Sequence, residues 1–440
     1  MYMGMSEYLR LKIFLPIAER LVGTCATKWY RQISDMNEWP REKIIAWQNQ
    51  HLSAFVRHAY EHTIYYKNLF DSLGLKPEDI RCADDLGRLP VMTKDIVRSH
   101  FKELIPDDIS SIPHRKNKTG GTTGEPMDFL TDENVWGYIT ASKIYSWRKA
   151  GYRFGDKFVA LGSSSLLGKK QSIKRRVYDG IRREIGMNSM NMSDTLCASY
   201  LDIMRHKHIH FLYGYASSVF LMAKYAAENK VDVSFIKGVF TTSENLPESY
   251  RSLIESTFCC RVMDCYGAKD AGITAFEILP GKYHVSYDVI PEVVNSFGEG
   301  EGTLITTCFL NNAFPLMRYD FGDCARLSLS DDSYNGAVIT KVFGRESNVI
   351  RLNNGHVLTA PGYTILMNHF NVIAYRIQQV NDHEVKMLIQ INPDKWSYEE
   401  SKQLQSEMQR FVGEGCLFSL EVVDSFEPLE NGKRGYFINR

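Results

Sequence analysis

The chain has no Cys-x-x-Cys pair, no surplus of either charge and no internal repeat or low-complexity tract. It also lacks any apolar run near the ~20 residues that span a bilayer. Each absence excludes something. Nine cysteines, scattered apart from Cys259–Cys260 and Cys265, with no secretory leader ahead of them, predict a reduced, cytoplasmic chain rather than a disulfide scaffold. Lys and Arg together number 52, as do Asp and Glu, so a polyanion-binding face is not the main task and no nucleic-acid partner is expected. The apolar stretch Ile13–Ala18 is hemmed in by Arg10, Lys12, Glu19 and Arg20. It reads as an amphipathic helix docking on the body, not as an integral membrane segment.

What is present is the composition of a folded protein, 44% hydrophobic and 24% charged. At 440 residues the chain is too long for one ordinary core. Residues 41–104 read as largely helical, with Ile44, Ile45, Trp47, Leu52, Phe55, Val56 and Ala59 at helical spacing. From about residue 155 the texture changes to buried strands at Phe158–Leu161, His208–Tyr213, Gly238–Thr241 and Arg261–Tyr266, with helices at Ser217–Asn229 and Glu248–Thr257 between. That alternation predicts an α/β domain with mixed or parallel sheets. Gly302–Phe309 and Val338–Val342 read as further strands. After Gly344–Ser347 a second unit follows: strands Ala374–Gln379 and Glu384–Ile391, a helix Tyr398–Phe411 and a strand Phe418–Val423. The expected division is a large domain, 1–344, and a small α+β domain, 345–440.

Lys118–Pro126 reads Lys-Thr-Gly-Gly-Thr-Thr-Gly-Glu-Pro. Glycine lets backbone N–H groups converge on an anion, and threonine hydroxyls add donors. No Gly-Lys-Ser/Thr ending follows, so this is not a Walker A loop. Taken alone it reads more readily as a surface turn than as a phosphate cradle. Four further segments accompany it: Asp264–Asp270 after a strand, Arg318–Asp323 around a glycine turn, Gly344-Arg345 at the expected domain boundary, and Asn431-Gly-Lys433 near the C-terminus.

These five segments, in this order, resemble the adenylate-forming superfamily. The resemblance is strongest to phenylacetate–coenzyme A ligases and their CapK-like relatives of capsular polysaccharide biosynthesis. It covers nearly the whole chain, including His58–Tyr66, Leu89–Asp95, Tyr213–Ser218, Tyr283-His284, Ile290–Val293 and Pro315–Asp320. The resemblance implies a large adenylation domain with a small, mobile C-terminal lid, and a homodimer. It implies that Thr119, Gly120, Gly121, Thr122, Thr123 and Gly124 handle the β- and γ-phosphates of ATP, with Thr123 close to the chemistry. Ser243 and Glu244 would contact the nucleotide, and Tyr266 and Gly267 would line the adenine and acyl pockets. Asp323 would bind the ribose, Arg345 would sit near the hinge, and Lys433 would bridge carboxylate and α-phosphate. Asp270 stands where the family usually has glutamate and would hold Mg²⁺, one methylene shorter. Tyr213, Gly214, Tyr215, Ala268 and Ala271 would shape the pocket for a small carboxylic acid.

The implied reaction is acid plus ATP to acyl-AMP plus pyrophosphate, then acyl transfer to coenzyme A, an amine or a carrier-protein thiol. Carboxylate attack on the α-phosphorus brings two anions together, which a lysine and Mg²⁺ offset. A lysine on a mobile terminal turn suits gating. A different class, a nucleotide-binding scaffold that has lost catalysis, draws on Asp270 for glutamate and on Ser347 at the hinge. Some relatives carry a structural zinc. Here His284 remains, but Lys341–Gly344 replaces the expected Cys-x-Cys-Gly, so no structural zinc is expected. His206, His208 and His210 alternate as a strand face would, but lack a carboxylate or thiol partner and carry no zinc reading. The basic run Lys169–Arg176 either meets a coenzyme A phosphate or an anionic acceptor, or is a solvated helix face.

Overall fold

A computed structural model describes residues 9–119, 127–162, 173–189, 192–329, 334–345, 350–354, 357–358, 367, 370–391, 393, 396–424, 426 and 437–439. Its N-terminal region is helical: α1 (Leu15–Val22), α2 (Ala26–Met36), α3 (Arg41–His62), α4 (Ile64–Leu73) and α5 (Lys94–Ser99). α3 buries Ile44, Trp47, Leu52, Phe55, Val56 and Ala59, which share one helical face. α4 follows at once because Thr63 leaves α3 in extended backbone and caps the next helix, its hydroxyl accepting from the Tyr66 amide. None of the described helices is long and apolar enough to cross a membrane.

β1 (His114–Lys118) and β2 (Asp128–Asp132) pair as an antiparallel hairpin, and α6 (Glu133–Trp147) follows. Strands and helices then alternate: β3 (Phe158–Gly162), α7 (Ile173–Arg182), β4 (Glu184–Asn188), α8 (Asp194–His206), β5 (Phe211–Tyr215), α9 (Ala216–Glu228), β6 (Gly238–Thr242), α10 (Glu248–Phe258) and β7 (Val262–Ala268). These strands pair in parallel. Such strands are covered on both faces, which is why β3, β5 and β6 are buried at every residue. On one face Val159, Leu212 and Val239 meet Leu201, Met222 and Ile254 from α8, α9 and α10. On the other, α6 lays Trp147 against Phe158, Tyr213 and Phe240, stacking on Phe240 at 4.2 Å.

Antiparallel strands continue from β7: β8 (Ile273–Leu279), β9 (Lys282–Val285), β10 (Val289–Gly298), β11 (Glu301–Cys308), β12 (Tyr319–Ser328) and β13 (Val338–Arg345). All belong to one eleven-stranded sheet, ordered β10-β11-β12-β13-β9-β8-β7-β6-β5-β3-β4. A buried ionic group fastens α10 to its centre. Arg251 donates to both oxygens of Glu277 at 2.8 and 2.7 Å, and Glu277 also accepts from the amides of Asp264 and Gly281. Those extra donors are what make a buried carboxylate tolerable.

A separate hydrophobic cluster is made only of residues from Ile350 onward. Short strands β14 (Ile350–Arg351) and β15 (Val357–Leu358) pair with each other. A four-stranded sheet, ordered β18-β17-β16-β19, is built from β16 (Val372–Asn381), β17 (Glu384–Ile391), β18 (Leu417–Val422) and β19 (Phe437–Asn439). α11 (Tyr398–Val412) contributes Leu404, Met408 and Val412 to that cluster and starts on a Ser397/Glu400 capping box.

The mixed α/β architecture agrees with the sequence, but one strand is displaced. The strand expected over His208–Tyr213 runs from Phe211 to Tyr215. His206 ends α8, and His208 has φ +53°, a left-handed turn that extended backbone does not continue through. The three histidines therefore do not share a strand face. Several strands were not foreseen, among them β2, β4, β8, β9, β10 and β12; β1 is the plainest case, polar throughout, so apolar periodicity gave no sign of it. Its order comes from pairing with β2, aided by Lys116 and Lys118 on Asp128 at 2.9 and 3.5 Å.

Candidate active site

The carboxyl ends of β5, β6 and β7 lie side by side, with Tyr215 opposite Thr242 and Thr242 opposite Cys265 in the ladders. In open α/β sheets this edge is where ligands bind. Sequence-predicted residues collect along it: Gly214 and Tyr215 at the end of β5, Ser243 and Glu244 just past β6, and Tyr266, Gly267 and Ala268 at the end of β7. Gly214 is required here, since a Cβ would stand 2.7 Å from the Leu161 carbonyl oxygen of the adjacent strand. Ser243 holds φ +65°, in the left-handed region that non-glycine residues enter infrequently. Glu244 accepts from the Ser217 amide at 2.8 Å, an anion at the N-terminus of α9.

Asp323 reaches this edge through the curl of the sheet. β13, β9 and β8 separate β12 from β7 in the strand order. With strands about 4.8 Å apart, a flat sheet would hold β7 and β12 about 19 Å apart. Instead the Tyr266 hydroxyl donates to Asp323 Oδ2 at 2.8 Å. A reciprocal bond runs from β12 back to the segment after β7: buried Tyr319 donates to Asp270 Oδ2 at 2.9 Å. Two tyrosine–aspartate bonds thus close the sheet on itself and fix both predicted acids.

Tyr319 also lies 4.0 Å from Met127 Sδ. Met127 and Thr119 form the neck of the Gly/Thr loop: the Thr119 amide donates to the Met127 carbonyl at 2.9 Å, and the Met127 amide donates to Thr119 Oγ1 at 2.9 Å. The neck and Asp270 therefore share one buried tyrosine. The loop residues Gly120, Gly121, Thr122, Thr123 and Gly124, and Lys433, lie outside the described residues. Arg345 ends β13, where it pairs in register with Asp323.

Arg318, whose segment drew attention in the sequence, is structural. It pairs with Glu292 at 3.0 Å and donates to the Leu89 carbonyl at 2.6 Å, anchoring the Leu89–Asp95 segment beside β12. Lys94 adds a bond to the Phe321 carbonyl at 2.6 Å. The Asx-type turn belongs to Asp320, which accepts from the Gly322 amide at 2.8 Å, with Gly322 at φ +86°. Asp323 is thereby left to face Tyr266.

Tyr213 and Tyr215 are buried on the strand below α6, Ala268 is buried at the end of β7 and Ala271 just past it. Lys143 of α6 escaped the sequence reading. Its ammonium lies 4.6 Å from the Tyr213 ring centroid and 5.4 Å from that of Trp147. Burial and the Asp264 charge push the neighbouring Cys265 thiol up to about 12, against the pull of Lys143, so Cys265 is no thiolate nucleophile. Only the helical phase of α6 under Trp147 signals Lys143, and that phase needs the packing to be known. A cleft of about 290 Å³ lined by Tyr138, Lys149, His284 and Tyr334 holds none of the predicted site residues.

This is the fold of the adenylate-forming ligases. Over 89% of each chain it superposes on a 2-hydroxyisobutyryl-CoA ligase, crystallised in the postadenylation state with R3-HIB-AMP, at TM-score 0.69 and 16% identity. By sequence the chain is similar to Protein CapK of Staphylococcus aureus, 22% identical over 425 residues, covering 93% of this chain and 92% of that one. It is similar as well to the phenylacetate-coenzyme A ligase of Aromatoleum evansii, 23% identical over 433 residues, covering 91% of this chain and 95% of the relative. No family model matches. The resemblance read from the sequence is borne out along nearly the whole chain.

Proposed function

We propose that the protein activates a small carboxylic acid with ATP, forming acyl-AMP and pyrophosphate, and then passes the acyl group to coenzyme A with release of AMP. The observation that carries this reading is the sheet closure that sets Asp323 against Tyr266 at the carboxyl edge of the parallel strands. Similarity over nearly the full length to a phenylacetate-coenzyme A ligase supports the acceptor. In this reading Asp323 accepts from both ribose hydroxyls while Tyr266 holds its orientation. The Gly/Thr loop, its neck fixed at Thr119 and Met127, takes the departing pyrophosphate. Ser243 and Glu244 flank the nucleotide.

Asp270 offers the hard oxygen that Mg²⁺ prefers, and its bond from Tyr319 uses one acceptor site of a carboxylate that has about four. When bound, Mg²⁺ would supply charge neutralisation at the phosphates. Lys433, from the small C-terminal domain, would bring its ammonium to the attacking carboxylate. Removing that domain after adenylation would then open the thiol's path. The division at residues 344 and 345 follows from this reading, and the separate cluster from Ile350 onward supports it.

The acid pocket in this reading draws on Tyr213, Gly214 and Tyr215 at the end of β5 and on Ala268 and Ala271, and Lys143 beside Tyr213 gives it a cation. Acids with a second polar oxygen should therefore outrank pure hydrocarbon acids. A charge-assisted hydrogen bond contributes about 1.5–3 kcal/mol, or roughly ten- to a hundredfold. ATP–pyrophosphate exchange across matched acids tests this. Lys143→Met should raise KM about that much for the oxygen-bearing acids, with kcat and the hydrocarbon acids little changed. Equal effects on both acid classes would remove Lys143 from the pocket. Tight ATP binding without exchange for any acid would favour the scaffold over the enzyme.

A further inference from the structure

His58 and His62 stand one turn apart at the end of α3, and Asp108 approaches them from the segment that leads to β1. One ligand-type atom from each lies within 4.8 Å of the others, the one such group among the described residues. We propose that these three side chains form a binding site for a borderline divalent cation of the zinc class, separate from the nucleotide site. Two imidazoles and a carboxylate are the donor set such ions take, with a fourth position left to water.

Helical spacing explains the pair, since residues four apart share a face. Their rings lie 4.8 Å apart between centroids at 33°. His58 Nε2 lies 3.3 Å from both Asp108 oxygens, while its buried Nδ1 has no hydrogen-bond partner among the described residues. Asp107 supplies the supporting contact that metal-bound imidazoles commonly have: it accepts from His62 Nδ1 at 2.7 Å, which leaves the lone pair on Nε2.

Clefts reach the group from two sides. One is lined by Ser53, Arg57 and Glu61 beside the histidines, and the other by Cys25, Asp132 and Asn134 beside His58 and Asp108. Bonds of about 2.0–2.2 Å set ligand atoms about 3.3–3.6 Å apart around a tetrahedral ion. The side chains must therefore draw together on binding, which the part-exposed His62 and Asp108 have room to do. A bound ion would clasp the end of α3 to the strand-leading segment ahead of the Gly/Thr loop.

The test is titration of the full-length, chelator-treated protein with Zn²⁺ by calorimetry, and with Co²⁺ by visible absorption. One Zn²⁺ per chain with a dissociation constant at or below about 10 µM is expected, by analogy with sites of three protein ligands. Tetrahedral-type Co²⁺ bands should appear alongside it. His62→Gln and Asp108→Asn should each weaken binding at least about tenfold, the range in which lost metal-site contacts fall. His206→Ala, a remote histidine, should leave binding unchanged. Both site variants carry part-exposed substitutions, and an unaltered circular dichroism spectrum would show that they fold. Affinity weaker than about 10 µM, or binding that the two site variants keep, overturns the proposal.

Discussion

Replacing Asp323 with alanine is expected to lower kcat/KM for ATP by about 10²–10⁴, because two hydrogen bonds to a charged acceptor, each about 1.5–3 kcal/mol, are lost together. The carboxylate is held by the Tyr266 hydroxyl at 2.8 Å and buried at the carboxyl edge of the sheet. Asp320, three residues away, is committed to the Gly322 amide. Tyr266→Phe removes the orienting bond but keeps the carboxylate and should cost less, about tenfold, the low end for one bond to a charged group. Lys433→Ala should behave differently: ATP still binds, but acid-dependent exchange falls about 10²–10³, as when one transition-state donor is removed. Steady-state and exchange kinetics on the three variants check this order. An Asp323→Ala enzyme with wild-type KM and kcat for ATP would remove it from the ribose.

The second large effect concerns stability. Asp288, between β9 and β10, is fully buried, and neither carboxylate oxygen has a well-formed hydrogen bond among the described residues. Burial raises its carboxyl to about 7, with only partial relief from Ser286. The folded protein keeps a proton that the unfolded chain, with an ordinary aspartate, releases near pH 4. The folded state therefore binds more protons between those values, so stability falls as pH rises from about 4 to 7 and stays low above. A shift of this size corresponds to on the order of 4 kcal/mol. Asp288→Asn removes the charge but keeps an unsatisfied polar group, so it should raise Tm at pH 8 and give little gain at pH 5. Calorimetry of both proteins at the two pH values measures it, and parallel profiles would show that Asp288 titrates normally.

Much of the α/β domain was legible because parallel strands buried on both faces are continuous apolar runs, as at Phe158–Gly162 and Gly238–Thr242. Helix faces such as that of α3 were legible for the same reason, a period that one face must satisfy. What pattern could not show is register across distance. That Tyr266 meets Asp323, and Tyr319 meets Asp270, depends on a sheet curling through three intervening strands. Tyr319 and Lys143 were accordingly missed: the first was passed over inside the Arg318–Asp323 segment, and the second was not singled out at all. His58 served in the sequence only as part of a resemblance, and its partner Asp108 sits fifty residues on. The strand drawn through His208 failed because a left-handed turn leaves no mark in apolar spacing.

Transfer of carboxylate oxygen to the nucleotide tests the central claim most directly. With a stimulating acid labelled with ¹⁸O, magnesium ATP and coenzyme A, attack on the α-phosphorus leaves one acid oxygen on AMP when the acyl group departs. The account predicts ¹⁸O in AMP and unlabelled pyrophosphate by mass spectrometry. Label in inorganic phosphate with ADP as the product, or acyl-CoA formed with unlabelled AMP, would contradict it.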